Sequence, residues 1–240
     1  MAAPRIVAVA AAKGGVGKTT IAYELAAALD GVLVDLDWDS GGATRMWGYA
    51  PEAHKRAPLL DALEAGPDTR PPTPRTRANR PALVPAHPDL GASSISDDLV
   101  AECLLTWAQQ WGRPWVVIDT HPGANPLTDG AMRVADLVLI PVVLAAREMD
   151  ALDGMLRDFA EYRLLLVPNM VPAVPPRRFV DRLARAAAGN VIAPPVSEHR
   201  WLRRRLRRAA VTLQPNPGAA VQRAAAEYRA IADAVGRAAA

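Results

Sequence analysis

The stretch Ala10-Ala11-Ala12-Lys13-Gly14-Gly15-Val16-Gly17-Lys18-Thr19-Thr20 decides how this sequence is read. It follows an apolar run, Ile6 to Ala10, that reads as a strand, and it leads into Ile21 to Leu29, which reads as a helix. Gly14, Gly15 and Gly17 let successive backbone N–H groups turn toward one centre. The helix start adds partial positive charge, so a polyphosphate fits there without steric conflict. Lys18 then reaches the β- and γ-phosphates of a nucleotide, and the Thr19 hydroxyl ligates Mg²⁺. One position departs from the general G-x-x-x-x-G-K-[ST] pattern, because Ala12 stands where the first glycine belongs.

Outward from the loop, short strand-like runs alternate with helical patterns. Val32 to Asp35 follows the first helix; Asp97 to Trp111 precedes Trp115 to Asp119; Leu137 to Pro141 precedes Glu148 to Tyr162; Leu164 to Val167 precedes Arg178 to Ala187. Strands that are apolar on both faces and alternate with helices predict an α/β fold: one doubly wound, mostly parallel sheet covered on each side. Right-handed crossovers then gather the loops after the strands along one edge. The 240 residues suit one domain over 1–240. Within it, residues 51–88, rich in proline and arginine, read as a mobile excursion holding a short helix near Leu59 to Leu63 and a short strand near Ala82 to Val84. Residues 218–237 place Val221, Ala224, Ala225, Tyr228, Ile231, Ala232 and Val235 on one helical stripe, the pattern of a helix packed on the domain.

Composition narrows the function classes. Alanine dominates the apolar half of the sequence, which predicts helices packed closely through small side chains. The single cysteine, Cys103, forms no internal disulfide and shares the apolar spacing of Leu99, Trp107 and Trp111, so it reads as core. A lone cysteine also excludes ligation of a shared iron–sulfur cluster. Neither a signal-peptide pattern nor a long apolar run is present, which predicts a cytoplasmic protein. The formal charge of +3 is unevenly spread, with arginines crowding the last third, so one surface is expected to meet a polyanion.

From Lys13 to Thr20 the sequence resembles the deviant Walker A family of ParA- and MinD-like ATPases, whose loop reads K-G-G-x-G-K-[ST]. Val34-Asp35-Leu36-Asp37 resembles that family's acidic motif, and Val116-Val117-Ile118-Asp119-Thr120-His121-Pro122-Gly123 its Walker B strand. Ala135 to Val142 resembles the next strand, and Val167-Pro168-Asn169-Met170-Val171 a strand end whose asparagine lies near the adenine. The resemblance runs along nearly the whole chain and is best to the short ParA-like proteins; Pro85 to Leu90 joins it. It implies ATP and Mg²⁺ held by Gly14, Gly15, Val16, Gly17, Lys18, Thr19, Thr20 and Asn169. Lys13 would cross a homodimer interface to the partner's nucleotide. Thr19 would hold the metal directly and Asp119 through water, and Asp37 would orient the attacking water. Two positions depart from the family's pattern. Asp37-Trp38-Asp39-Ser40 stands where D-P-Q is usual, and His121 replaces a proline; the resemblance puts both in switch segments, so they bear on hydrolysis rate and switching rather than on nucleotide binding.

His199 to Ala209 is the second informative segment. Wound as an α-helix at about 100° per residue, it sets Arg200, Arg203, Arg204, Arg207 and Arg208 within an arc of roughly 140°, opposite Leu202, Leu206 and Ala209. Guanidinium groups on one ridge suit DNA phosphates without base reading. The resemblance implies the same of this region. The resulting expectation is a ParA-type partition ATPase: a homodimer with ATP, bound to nonspecific DNA and hence to the nucleoid, stimulated by a ParB-like partner, and without stable membrane association. A MinD-like membrane-cycling ATPase and a metabolic ATP-dependent enzyme of the same superfamily stand as alternatives.

Overall fold

The computed structural model describes residues 3–39, 42–187, 190–204 and 208–239. Its strands are β1 (Arg5–Val9), β2 (Val32–Asp35), β3 (Ala82–Val84), β4 (Trp115–Asp119), β5 (Leu137–Val143), β6 (Leu164–Asn169) and β7 (Val191–Ile192). Its α-helices are α1 (Lys18–Ala28), α2 (Ala43–Trp47), α3 (Pro51–His54), α4 (Leu59–Ala65), α5 (Asp97–Gln110), α6 (Pro126–Arg133), α7 (Ala146–Asp158), α8 (Arg177–Ala186) and α9 (Ala219–Ala238). The strands pair in the order β3-β2-β4-β1-β5-β6-β7, and every pairing between them is parallel.

Each inner strand feeds two cores because successive side chains point to opposite faces. Val7, Val9, Leu33, Val117, Leu139 and Val167 face the side covered by α1 and α9. Their neighbours Ile6, Val34, Val116 and Ile118 face α4 to α6, while Val138, Ile140 and Leu166 face α7 and α8. The sheet is thus doubly wound, as the alternation of apolar runs predicts. Cys103 is fully buried in the α5 core, and burial pushes its thiol up to about 11, outside the reactive range.

Strand β5 runs past the expected end at Pro141 as far as Val143. Its pairing with β1 stops at Leu139, so the N–H that Pro141 lacks is not required by that neighbour. Residues 51–88, expected to be mobile, are tied to the body at several points. Arg75 and Leu83 exchange two backbone bonds of 2.7 and 2.9 Å, Trp111 Nε1 donates to Pro72 O at 2.9 Å, and Trp47 Nε1 donates to Pro81 O at 2.8 Å. The Arg75 bridge is antiparallel and covers the outer edge of β3.

The segment expected to form one arginine-faced α-helix does not do so over its described part. Arg200–Arg204 forms a 3₁₀ turn and Arg208 is non-helical, while residues 205–207 lie outside the described residues. Trp201 and Leu202 pack against the α1/α9 core, and the buried Glu24 carboxylate of α1 accepts from Val211 N and Thr212 N. These anchors at both ends favour a tight turn over a straight α-helix. Helix α9 buries Ala224, Ala225, Tyr228, Ile231, Ala232 and Val235 on that same core. Among the described residues no helix is long and apolar enough to cross a membrane.

Close helix packing has a specific weak point at Gly130 of α6. A Cβ there would lie 2.4 Å from Asp97 O and 2.8 Å from Val100 Cβ of the facing α5. Gly130→Ala is therefore expected to destabilise the fold by about 1–3 kcal/mol in urea unfolding, despite alanine's better helix propensity. A neutral or stabilising result would show that α5 and α6 separate freely.

Candidate functional site

The loop between β1 and α1 takes its shape from two left-handed glycines, Gly15 (φ 85°) and Gly17 (φ 90°), the second of which caps α1. A side chain at Gly17 would also collide with Asn169, whose Nδ2 lies 2.2 Å from the Cβ position. Asn169 ends β6, is buried, and donates from Nδ2 to Val16 O at 2.7 Å, so it pins the loop from the neighbouring strand end. Gly14 and Gly15 are exposed on the loop, and the exposed Lys13 precedes them at its rim. Thr19 and Thr20 sit half-buried on the first turn of α1.

Three strand ends converge on Lys18, which is almost fully buried. Its Nζ donates to Thr120 O and lies 3.7 Å from Asp119 Oδ1 and 3.8 Å from Asp37 Oδ2. The parallel order β2-β4-β1 makes this possible, since it sets Asp35 beside Asp119 and Asp119 beside Val9. Burying an ammonium without such partners would cost several kcal/mol. The sequence-predicted set of Lys18, Thr19, Asp37 and Asp119 is therefore brought together around one centre.

The carboxylates are not equivalent. Asp35 is buried, accepting from Asp37 N at 3.1 Å and from Thr44 N and Thr44 Oγ1 at 2.6 Å each. Burial and the nearby Asp119 raise its pKa to about 8, against the pull of these hydrogen bonds, which make it a strut that shapes the loop after β2. Asp119 is fully buried, and neither of its oxygens accepts a well-formed hydrogen bond. Burial raises its pKa to about 6, with Lys18 and Thr19 pulling in the opposite direction. A carboxylate with two orphaned oxygens beside a threonine hydroxyl is a donor set that fits a hard divalent cation and its waters.

The two departures from the usual switch motifs meet each other. The Trp38 and His121 rings stack at 3.8 Å with planes 3° apart, and His121 Nε2 lies 3.3 Å from Asp39 Oδ2. Trp38 lies flat on Gly91, where a Cβ would come within 2.5 Å of its Nε1. This aromatic bridge between the segments after β2 and β4 was not visible in the sequence; its signal was that both departures fall in motifs whose strands are neighbours. Asp37, Asp39 and His121 each bring a ligand atom within 4.8 Å of the others.

Of the predicted arginines, Arg200 is exposed at the 3₁₀ turn, 3.6 Å from Glu198, and Arg208 lies elsewhere, against Gly48. Arg203 and Arg204 follow Arg200 along the turn backbone, and Arg207 lies outside the described residues.

Comparison with known proteins adds three findings. The family model described as "AAA domain" matches residues 4–166. The chromosome-partitioning ATPase Soj of Thermus thermophilus is 32% identical over 171 residues, covering 69% of this chain and 66% of that protein, so the chain spans just under two thirds of that relative. Among solved structures, a plasmid partition protein of Borrelia burgdorferi superposes with a TM-score of 0.73 at 19% identity, covering 98% of this chain and 99% of the other. Cobyrinic acid a,c-diamide synthase of Mycobacterium smegmatis, with bound ADP and magnesium, gives 0.70 at 25% identity over 98% and 94%.

The Asp35 strut carries a sign. A carboxyl whose pKa is raised to about 8 in the fold, against 3.8 in the unfolded chain, stabilises the fold most at low pH. That contribution declines as pH rises from about 4 to 8. Thermal unfolding of the nucleotide-free protein should thus show a fall in midpoint across this range that is shallower in Asp35→Asn. Identical slopes in the two proteins would contradict the raised Asp35 pKa.

Proposed function

The chain belongs to the ParA-like P-loop ATPases, within the AAA domain family, and from that premise we propose that it acts as a partition ATPase. The observation that carries this reading is the arrest of the buried Lys18 ammonium between Asp37, Asp119 and Thr120 O, at the mouth of a glycine loop that opens α1. That geometry suits a lysine waiting to exchange its carboxylate contacts for the oxygens of a triphosphate. ATP with Mg²⁺ is the proposed ligand, Thr19 and Asp119 holding the metal. The metal supplies charge neutralisation at the phosphates when bound.

In this reading the loop amides of Gly14 to Thr20 orient the phosphates, and Asn169, already fixed to the loop, offers its carbonyl oxygen to a base amine. Asp37, held by its own backbone N–H on Asp35, positions the water that attacks the terminal phosphate. Lys13, exposed at the rim, reaches the nucleotide of a second copy and makes the ATP state a homodimer. The dimer binds nonspecific DNA through Arg200, Arg203, Arg204, Arg207 and Arg208, which places it on the nucleoid of the cytoplasm, and a ParB-like protein stimulates hydrolysis and release. Residues 1–240 act as one unit, without stable membrane association. The membrane-cycling alternative is disfavoured because the apolar stripe of α9 is already spent on the core.

A second reading, a metabolic ATP-dependent enzyme, draws on the likeness to the diamide synthase. ATP turnover that responds to a small acid and not to DNA would favour it. The leading reading predicts that Lys13→Ala binds ATP about as well as wild type yet stays monomeric in light scattering with ATP and Mg²⁺; an ATP dimer in that variant would remove Lys13 from the interface. It also predicts that Asp37→Ala lowers hydrolysis by about 100-fold or more while the dimer persists. Wild-type turnover in Asp37→Ala would move the water-positioning role elsewhere.

A further inference from the structure

The arginines assigned to DNA above all come from residues 200–208, and the proline- and arginine-rich excursion has no part in that reading. Yet the two segments meet. Gly48 closes α2 in the left-handed conformation (φ 88°). A Cβ built on it would lie 2.4 Å from Arg208 Nη1 and 2.9 Å from Arg80 Nη1, so the two guanidinium tips share the space above one glycine. Ala210 N donates to Asn79 O at 2.8 Å, tying the excursion to the C-terminal segment beside them.

Arg80 is the fixed member. It donates to Trp47 O and holds its guanidinium over the Trp47 ring, 5.3 Å from the centroid. Burial, then the positive fields of Arg77 and Arg208, lower its pKa, so Arg80 feels a like charge from each side. Among the described residues none of the three forms an ion pair with a carboxylate, whereas the nearby Arg113 is neutralised by Asp30 at 2.5 Å. Arg80 lines two adjoining surface troughs, one continuing to Thr76 and Arg77 and the other to Arg208 and Gln214.

Converging guanidinium groups without counter-charge fit phosphate oxygens, which accept two parallel N–H bonds each from such a fork. The troughs lie open along the surface and carry separated charges, so an extended polyanion with regularly spaced phosphates fits them better than a single small anion. We propose that Arg77, Arg80 and Arg208 form a binding patch for the phosphate backbone of duplex DNA, with the excursion supplying two of its three contacts. The proposal rests on the DNA-binding reading above and extends it to a surface built from two distant segments.

The patch is also braced from the nucleotide side. Tyr23 of α1 donates its hydroxyl to Arg208 O at 2.7 Å, and α2, which Gly48 caps at its C-terminal end, is held in its first turn by Thr44 on the Asp35 carboxyl. The arginines are therefore one short helix away from the acidic motif.

The test is fluorescence anisotropy of a labelled duplex of arbitrary sequence, with a slowly hydrolysed ATP analogue and Mg²⁺, across a salt series. Arg77→Ala should weaken binding and reduce the slope of log K against log salt by about 0.9, and Arg77→Ala/Arg208→Ala by about 1.8. Nucleotide affinity should remain unchanged in both, which reports an intact fold. Wild-type binding with variants of equal slope and affinity overturns the patch and takes Arg208 out of the DNA contacts, while duplex binding by the wild type keeps the DNA reading itself standing. A wild-type chain that binds no duplex in any nucleotide state overturns both.

Discussion

A buried ammonium must be paid for by nearby negative charge, and Lys18 meets that demand with Asp37 from the end of β2 and with Asp119 and the Thr120 carbonyl from the end of β4. The requirement fixes much of the surrounding structure. Strands β1, β2 and β4 must be neighbours and in register, the loop before Lys18 must turn on left-handed glycines, and the loop after β2 must bring Asp37 inward. Asp35 performs that last task by accepting the Asp37 N–H while its other oxygen clamps Thr44 at the start of α2. Because Asp35 and Asp119 stand side by side, burial and their mutual repulsion push both carboxyls up, and the Lys18 ammonium beside Asp119 opposes the rise there.

The same constraint explains why the two unusual switch residues occur together. Trp38 and His121 stack face to face across the gap between neighbouring strand ends, and such contacts contribute about 0.5–1.5 kcal/mol beyond buried area. The segments after β2 and β4, which flank the candidate nucleotide site, are thereby joined by a ring contact backed by Gly91. The departure from the usual motif at one position touches the departure at the other, so the two form a single contact.

The fold was legible because its signals are local. Apolar strands buried on both faces, a glycine loop between strand and helix, and helical stripes each identify themselves within about ten residues. The core of the candidate site was legible for a related reason: Lys18, Thr19, Asp37 and Asp119 each lie at or within two residues of the end of a regular element, and the parallel order then brings them together. What was not legible depends on contacts between distant segments. The arginine run reads as one α-helix by periodicity, but over its described part Arg200–Arg204 forms a 3₁₀ turn, with Trp201 and Leu202 packed on the core and Glu24 holding Val211 and Thr212. Residues 51–88 read as loose from their prolines, yet Pro72 O and Pro81 O each accept a bond from a tryptophan elsewhere in the chain. The meeting of Arg80 and Arg208 over Gly48 joins three segments that no sequence window contains.

All of this turns on Lys18 exchanging its carboxylate contacts for a triphosphate. Calorimetric titration of ATP with Mg²⁺ into the wild-type chain and into Lys18→Ala measures that exchange directly. The account predicts saturable binding by the wild type and its loss in the variant. Heat of binding absent from the wild type, or undiminished in Lys18→Ala, would contradict it.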